Sequence, residues 1–192
     1  MQNQEFTAAK KQADRKAIKF IVILFILYIL FSQGNLFMFS VMTPTGRFYN
    51  TYIAEHFDYI QGLKTALIKP AVWIIKLFGF YAIHNEMDVL VINGPYLRIN
   101  YSCLGLGVMS FLAAFSIAYP KPVKEKWIFF IAGIIVVQLL NVVRFVLLAL
   151  YWDMRTTKII DHHTIFNVVI YIIILVSIYF WTKRDFATTK KA

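Results

Sequence analysis

Residues 127–152 read WIFFIAGIIVVQLLNVVRFVLLALYW. The stretch holds one charge, Arg144, and begins and ends on tryptophan. A membrane-crossing helix needs about 20 apolar residues to cover about 30 Å of hydrocarbon. Tryptophan favours the headgroup level, so Trp127 and Trp152 mark the two boundaries of a span. Three further apolar runs follow the same logic. Phe20–Gly46 carries no charge and is preceded by Lys10, Lys11, Arg15, Lys16 and Lys19. It reads as an uncleaved first span near 20–42. Ile99–Pro120 is uncharged and ends in a short basic loop, PKPVKEK, which gives a span near 103–119. Thr164–Thr182 is stopped by Lys183 and Arg184, and forms the last span, near 164–182.

Composition agrees with this reading. Hydrophobic residues make up 59% of the chain and charged residues 16%, against roughly half and a quarter in soluble domains. The net charge of +10 does not call for nucleic acid, because the cations cluster beside apolar runs, as they do next to anionic headgroups. The expected class is an all-α integral membrane helix bundle with four to five transmembrane helices. The basic N-terminus (1–19), the 121–126 loop and the basic tail (183–192) carry most of the Lys and Arg. The positive-inside tendency therefore puts both termini in the cytoplasm, with 20–182 as the membrane-embedded domain. The thiol of Cys103 then faces the extracytoplasmic side.

Two segments of the outer region 34–102 have patterns of their own. In residues 63–83, LKTALIKPAVWIIKLFGFYAI, Lys69 and Lys76 share one helical face, and Leu67, Ala71, Ile74, Ile75 and Phe78 largely occupy the other. That is an amphipathic helix suited to the interface, since a lysine at mid-membrane costs roughly 2.5–3.5 kcal/mol on insertion scales. In 87–102, β-prone runs flank Asn93-Gly94-Pro95, which signals a short extracytoplasmic β-hairpin that delivers the chain to Cys103.

Chemistry is expected where polar groups enter the spans. Cys103 is the only cysteine, so no intrachain disulfide forms. Gln138, Asn141 and Arg144 recur every three residues and make one polar stripe on the third span. Asp161-His162-His163 opens the last span, with Asn167 one turn on. Taken singly, each has a plain structural use: a packed thiol, an interhelical hydrogen-bonding stripe, a helix cap. Together, Cys103, Arg144 and the histidines fall toward the same outer side from three different helices. A thiol, an imidazole and a fixed cation suffice for cysteine acyl transfer. The thiolate attacks a carbonyl, the cation steadies the oxyanion, and the imidazole moves the proton. A serine nucleophile at Ser102 ranks second, being harder to activate. A zinc site is disfavoured, since the two histidines are adjacent and the cysteine is distant. No metal or cofactor is expected, and no phosphate loop or dinucleotide fingerprint is present.

Cys103-Leu104-Gly105, then Asn141-Val142-Val143-Arg144, then the 162–163 histidine pair resemble, in order and spacing over about 87–182, the exosortase/archaeosortase family of membrane-embedded transpeptidases. The chain differs from the common pattern in having Leu104 where serine is usual, and in having room for fewer spans than the eight or so of many members. The resemblance implies a cysteine transpeptidase or protease with Cys103 as nucleophile and Arg144 as stabiliser of thiolate and oxyanion. His163 is the implied general acid/base, because a glycine often lies four residues after the family's histidine and Asn167 lies four after His163. His162 is the alternative. Gly105, Gln138, Asn141, Asp161 and Asn167 would support them. The implied substrate is a secreted protein with a C-terminal sorting tail (motif, apolar helix, basic end). The implied acceptor is a lipid- or glycan-linked amine, and the implied setting is the inner membrane. Two other readings stand beside it. One is a non-enzymatic assembly factor whose polar stripe binds a partner helix. The other is an acyltransferase that carries a fatty acyl group on Cys103.

Overall fold

The computed structural model describes residues 2–44, 46–85, 88–92, 94, 96–99, 101–151 and 162–189. Six helices and three strands follow in the order α1 (Gln2–Met42), α2 (Thr51–Phe57), α3 (Tyr59–Leu77), β1 (Ala82–His84), β2 (Asp88–Val91), β3 (Tyr96–Arg98), a 3-10 turn (Tyr101–Leu104), α4 (Leu106–Ala118), α5 (Val123–Tyr151) and α6 (His162–Thr189). Among the described residues, three stretches are long and apolar enough to cross a membrane: Lys10–Met42, Val123–Leu150 and Phe166–Lys183. The protein is a membrane helical bundle with a small three-stranded sheet. It forms two compact units, Met1–Ala54 with Leu106–Ala132, and Glu55–Gly105 with Gly133–Ala192.

In the first unit α1 packs along α4. Phe20 sits edge-on to Phe115 and Tyr119, at 5.9 Å each, and Tyr28 sits edge-on to Phe111 at 6.3 Å. Asn35 Nδ2 then donates to Ser110 Oγ at 3.0 Å. The contacts descend α4 as they ascend α1, so the two helices are antiparallel. Phe111, Phe115 and Tyr119 recur every four residues and stack on one another along α4, the spacing that lines side chains up on one helical face. Ser110 is buried, and its hydroxyl also donates to the Leu106 carbonyl at 2.8 Å. The far end of α4 is capped by Lys126, whose Nζ donates to the Ile117 carbonyl at 2.9 Å.

α4 has 13 residues and rises about 20 Å. The uncharged run that supplies it starts earlier, at Ile99, but the helix cannot start at 103. Gly105 takes φ +70°, a left-handed conformation that interrupts helical hydrogen bonding and suits glycine. Cys103 therefore belongs to the 3-10 turn and precedes α4.

The second unit is built around α3 and the sheet. Asp58 caps α3 by accepting from the Gln61 N–H at 2.8 Å, the role its short carboxylate suits. Ile60, Lys64, Leu67, Ile68, Ala71, Val72 and Ile75 form its buried stripe, and α3 packs on β1 and on the 3-10 turn. The apolar stretch 63–83 is divided. Gly79, at φ +84°, ends α3 just after Leu77, a glycine stop that frees the chain to turn. Ala82–His84 then pairs antiparallel with β2, and β2 pairs antiparallel with β3, in the order β1-β2-β3. Ala82, Val89 and Val91 are buried. Across β2 and β3, Asp88 faces Arg98, with the guanidinium Nε 3.7 Å from the carboxylate. The exposed Tyr96 phenol is hydrogen-bonded to Asp88, which pushes its pKa above the usual tyrosine value.

The second half of α5 is apolar outside and polar inside. Ile135, Leu139 and Val143 are exposed, while Val137, Asn141, Arg144 and Leu148 are buried. A helix in lipid is expected to show this, because its ionisable groups face the protein and its apolar groups face the acyl chains.

Candidate functional site

The second unit holds the turn that carries Cys103, the polar stripe of α5 and the start of α6. Cys103 is 3% exposed and Leu104 is fully buried. Gln138 Nε2 donates to the Leu104 carbonyl at 3.2 Å. A β-carbon built on Gly105 would lie 2.9 Å from Asn141 Nδ2 and 3.0 Å from Val137 Cγ1. The Cys103 turn is thus seated on α5 by one hydrogen bond and by a close backbone approach, in a left-handed conformation, that favours glycine. α3 supports the turn as well. Tyr59, at its head, lies near Tyr101, and burial, then the neighbouring Tyr101 and Asp58, raise the Tyr59 pKa. That phenol stays neutral.

One turn beyond Asn141 stands Arg144, 1% exposed and the largest fully buried side chain among the described residues. Its Nη1 donates to Asn167 Oδ1 at 3.4 Å, and its guanidinium lies 5.9 Å from the centre of the Phe166 ring. A charge this deep costs several kcal/mol of desolvation, and the amide and the aromatic face offset part of it. The structure therefore joins Gly105, Gln138 and Asn141 at one level of α5, and Arg144 and Asn167 at the next.

His162 and His163 are the first two residues of α6; their side chains, like all of Asp161, lie outside the described residues. At about 100° per residue, position 163 falls about 40° from position 167 on the helix, and position 162 about 140° from it. Contacts from Val137, Phe166 and the Leu104 carbonyl were not anticipated from the sequence. Val137 and Phe166 are hydrophobes inside hydrophobic runs and give no signal of their own.

A family model described as transmembrane exosortase matches residues 11–181. The chain belongs to this family. Neither a curated protein nor a solved structure matches it. The matched region runs from α1 into α6 and so includes every residue of the site described above. Membership supports a membrane transpeptidase-type function in general terms.

In this exosortase, Gly105→Ala makes a direct test of how the turn is seated. The substitution combines a left-handed φ, worth roughly 1–2 kcal/mol to an L-residue, with a clash against Asn141 and Val137. The expected result is a lower midpoint of thermal unfolding in detergent, together with a fall in activity. An unchanged midpoint would show that the turn is not seated on α5 as described.

Proposed function

We propose that the protein is a membrane-embedded cysteine transpeptidase that removes the C-terminal sorting tail of a secreted protein and transfers that protein to a lipid- or glycan-linked amine. One observation carries the reading: the α5 stripe holds the Cys103 turn through Gln138 and Asn141 and, one helical turn on, presents a buried guanidinium tied to α6. That arrangement supports a thiol and a fixed cation on one face of one helix.

In the proposed reaction the Cys103 thiolate attacks the scissile carbonyl carbon and forms a C–S bond. The carbonyl oxygen takes the negative charge, and Arg144 stabilises it. The C–N bond then breaks, and the imidazolium of His163 protonates the departing amine of the tail, leaving a thioester. The acceptor amine attacks that thioester, His163 takes its proton, and the thiolate leaves as the new amide forms. Asn167 holds Arg144 in place, and Gln138 holds the turn. The basic clusters at 10–19, 121–126 and 183–191 favour cytoplasmic termini and a site on the outer face of the inner membrane.

The rival in which the stripe binds a partner helix needs those side chains on an outward surface. Asn141 and Arg144 are each 1% exposed, and Gln138 is engaged with Leu104, which favours the enzymatic reading. The test is a pair of variants, His163→Gln and His162→Gln. Each is produced with a host protein that ends in an apolar helix and a basic tail, and cleavage is followed by gel mobility. His163→Gln is expected to slow cleavage by about 10²–10⁴-fold, the usual worth of a positioned acid/base, while His162→Gln stays within a few-fold. Full activity in both variants would remove the imidazole from the mechanism.

A further inference from the structure

The second unit contains a groove of about 440 Å³ that the proposed chemistry does not use, lined by Gln61, Thr65, Ile68, Lys69, His84 and Asn85. Gln61, Thr65 and Lys69 are spaced by four residues and so form one ridge of α3. The buried Ile68 belongs to the same wall. Across from them, His84 ends β1 and Asn85 follows it. Asn85 is fixed: its Oδ1 accepts from the Asp88 N–H at 2.6 Å and its Nδ2 donates to Asp88 Oδ2 at 3.2 Å. His84 Nδ1 lies 3.4 Å from the Asn85 carbonyl oxygen. With a proton on Nδ1 for that bond, Nε2 is left as an acceptor, suited to a ligand hydroxyl.

The groove favours an anion. Lys69 lines it, and the chain has no acidic residue between 59 and 85. The flanking carboxylates are occupied, Asp58 by the Gln61 N–H and Asp88 by Asn85 and Arg98. The same i, i+4 ridge then continues out of the groove as Trp73 and Leu77, 64% and 65% exposed, beside the exposed Phe78, Tyr81 and Ile83. A cationic pocket that opens onto an exposed aromatic and aliphatic strip matches one molecule with both characters. A water-soluble anion accounts for the pocket and leaves the strip unexplained, whereas plain contact with a bilayer accounts for the strip and leaves the pocket unexplained.

We propose that this groove binds the phosphate head of an anionic membrane lipid, with the lipid's acyl chains lying along Trp73 and Leu77. The site does not depend on the transpeptidase reading. Lys69 supplies the charge, Gln61 and Thr65 donate hydrogen bonds to phosphate oxygens, and His84 Nε2 accepts one from a glycerol hydroxyl.

The full chain, with Trp127, Trp152 and Trp181 changed to phenylalanine, is placed in phosphatidylcholine nanodiscs. Brominated-chain phosphatidylglycerol or brominated-chain phosphatidylcholine is added at equal content, and quenching of Trp73 is measured. Phosphatidylglycerol is expected to be enriched at Trp73 by about fivefold over phosphatidylcholine, the effect of one well-placed interfacial cation. Lys69→Gln combined with His84→Gln should abolish the preference, and Lys69→Arg should keep it. Equal quenching by the two lipids, or a preference that survives the double variant, would overturn the proposal. Relief of quenching by millimolar glycerol phosphate would assign the pocket to a soluble phosphate ester and overturn the lipid as occupant.

Discussion

Replacing Cys103 with alanine is expected to stop tail processing altogether, a fall of more than about a hundredfold and below the detection limit of a gel assay, while the protein still inserts and accumulates. The two readouts separate because the side chain is small. Cys103 is 3% exposed, and trimming its sulfur leaves a cavity worth about 1 kcal/mol, in the usual range for a point substitution. The turn's attachment to α5 runs through the Leu104 carbonyl and Gly105, which the variant keeps. Cys103→Ser keeps the shape and replaces the thiol with a hydroxyl that is far harder to ionise, so it should fail as well. Mass spectrometry of the products sorts three outcomes for the parent protein: hydrolysed reporter, reporter joined to an acceptor, and, if the acyltransferase reading holds, a fatty acyl group on the sulfur. An alanine variant that processes its tail normally would end the cysteine mechanism.

The second large effect is expected at Arg144. Arg144→Ala removes the largest fully buried side chain among the described residues, the donor to Asn167 Oδ1 and the cation beside Phe166. The lost packing and the amide left unpaired place the cost at about 2–4 kcal/mol, seen as a lower unfolding midpoint, and activity should vanish with it. Arg144→Lys is the more informative change. It keeps a positive charge, so stability should fall by no more than about 1–2 kcal/mol. A single ammonium cannot reproduce the planar, multi-donor fork that meets Asn167 and that the proposed oxyanion role requires. Activity is therefore expected to drop by about a hundredfold or more, comparable to the loss of one oxyanion donor. A lysine variant with parental turnover would show that only charge matters at this position.

Hydropathy made the long helices easy to find in the sequence, because a span is a property of many residues at once. The apolar runs 127–152 and 164–182 overlap α5 and α6, which run Val123–Tyr151 and His162–Thr189, the latter seven residues past Thr182. The periodic stripe of Gln138, Asn141 and Arg144 was also legible, since polar residues stand out in an apolar run. What they touch was not. Gln138 meets a backbone carbonyl, and every residue has one, so the sequence carries no trace of that choice. The stop at Gly79 and the strand Ala82–His84 were hidden by the continuity of the apolar stretch 63–83. The pattern of that stretch gave an amphipathic helix but not the place where it ends. Gly105 was visible as a residue of interest, whereas its left-handed φ, which moves the start of α4 past Cys103, depends on packing against α5 that no local pattern encodes.

The shortness of α4 bears on the proposed reaction. A helix of 13 residues covers about two thirds of the hydrocarbon thickness. Set with one end at a headgroup layer, a helix of this length would leave its other end about 10 Å short of the opposite layer, and Cys103 precedes Leu106 by three residues in the chain. On the proposed mechanism, a thioester made there would be sheltered beneath the water line. Bulk water, the competitor present at the highest concentration, would meet it rarely, whereas an amine carried by a lipid arrives at that depth by lateral diffusion. Such an enzyme would join chains rather than merely cut them, and it would do so through the length of one helix, without needing a residue dedicated to keeping water out.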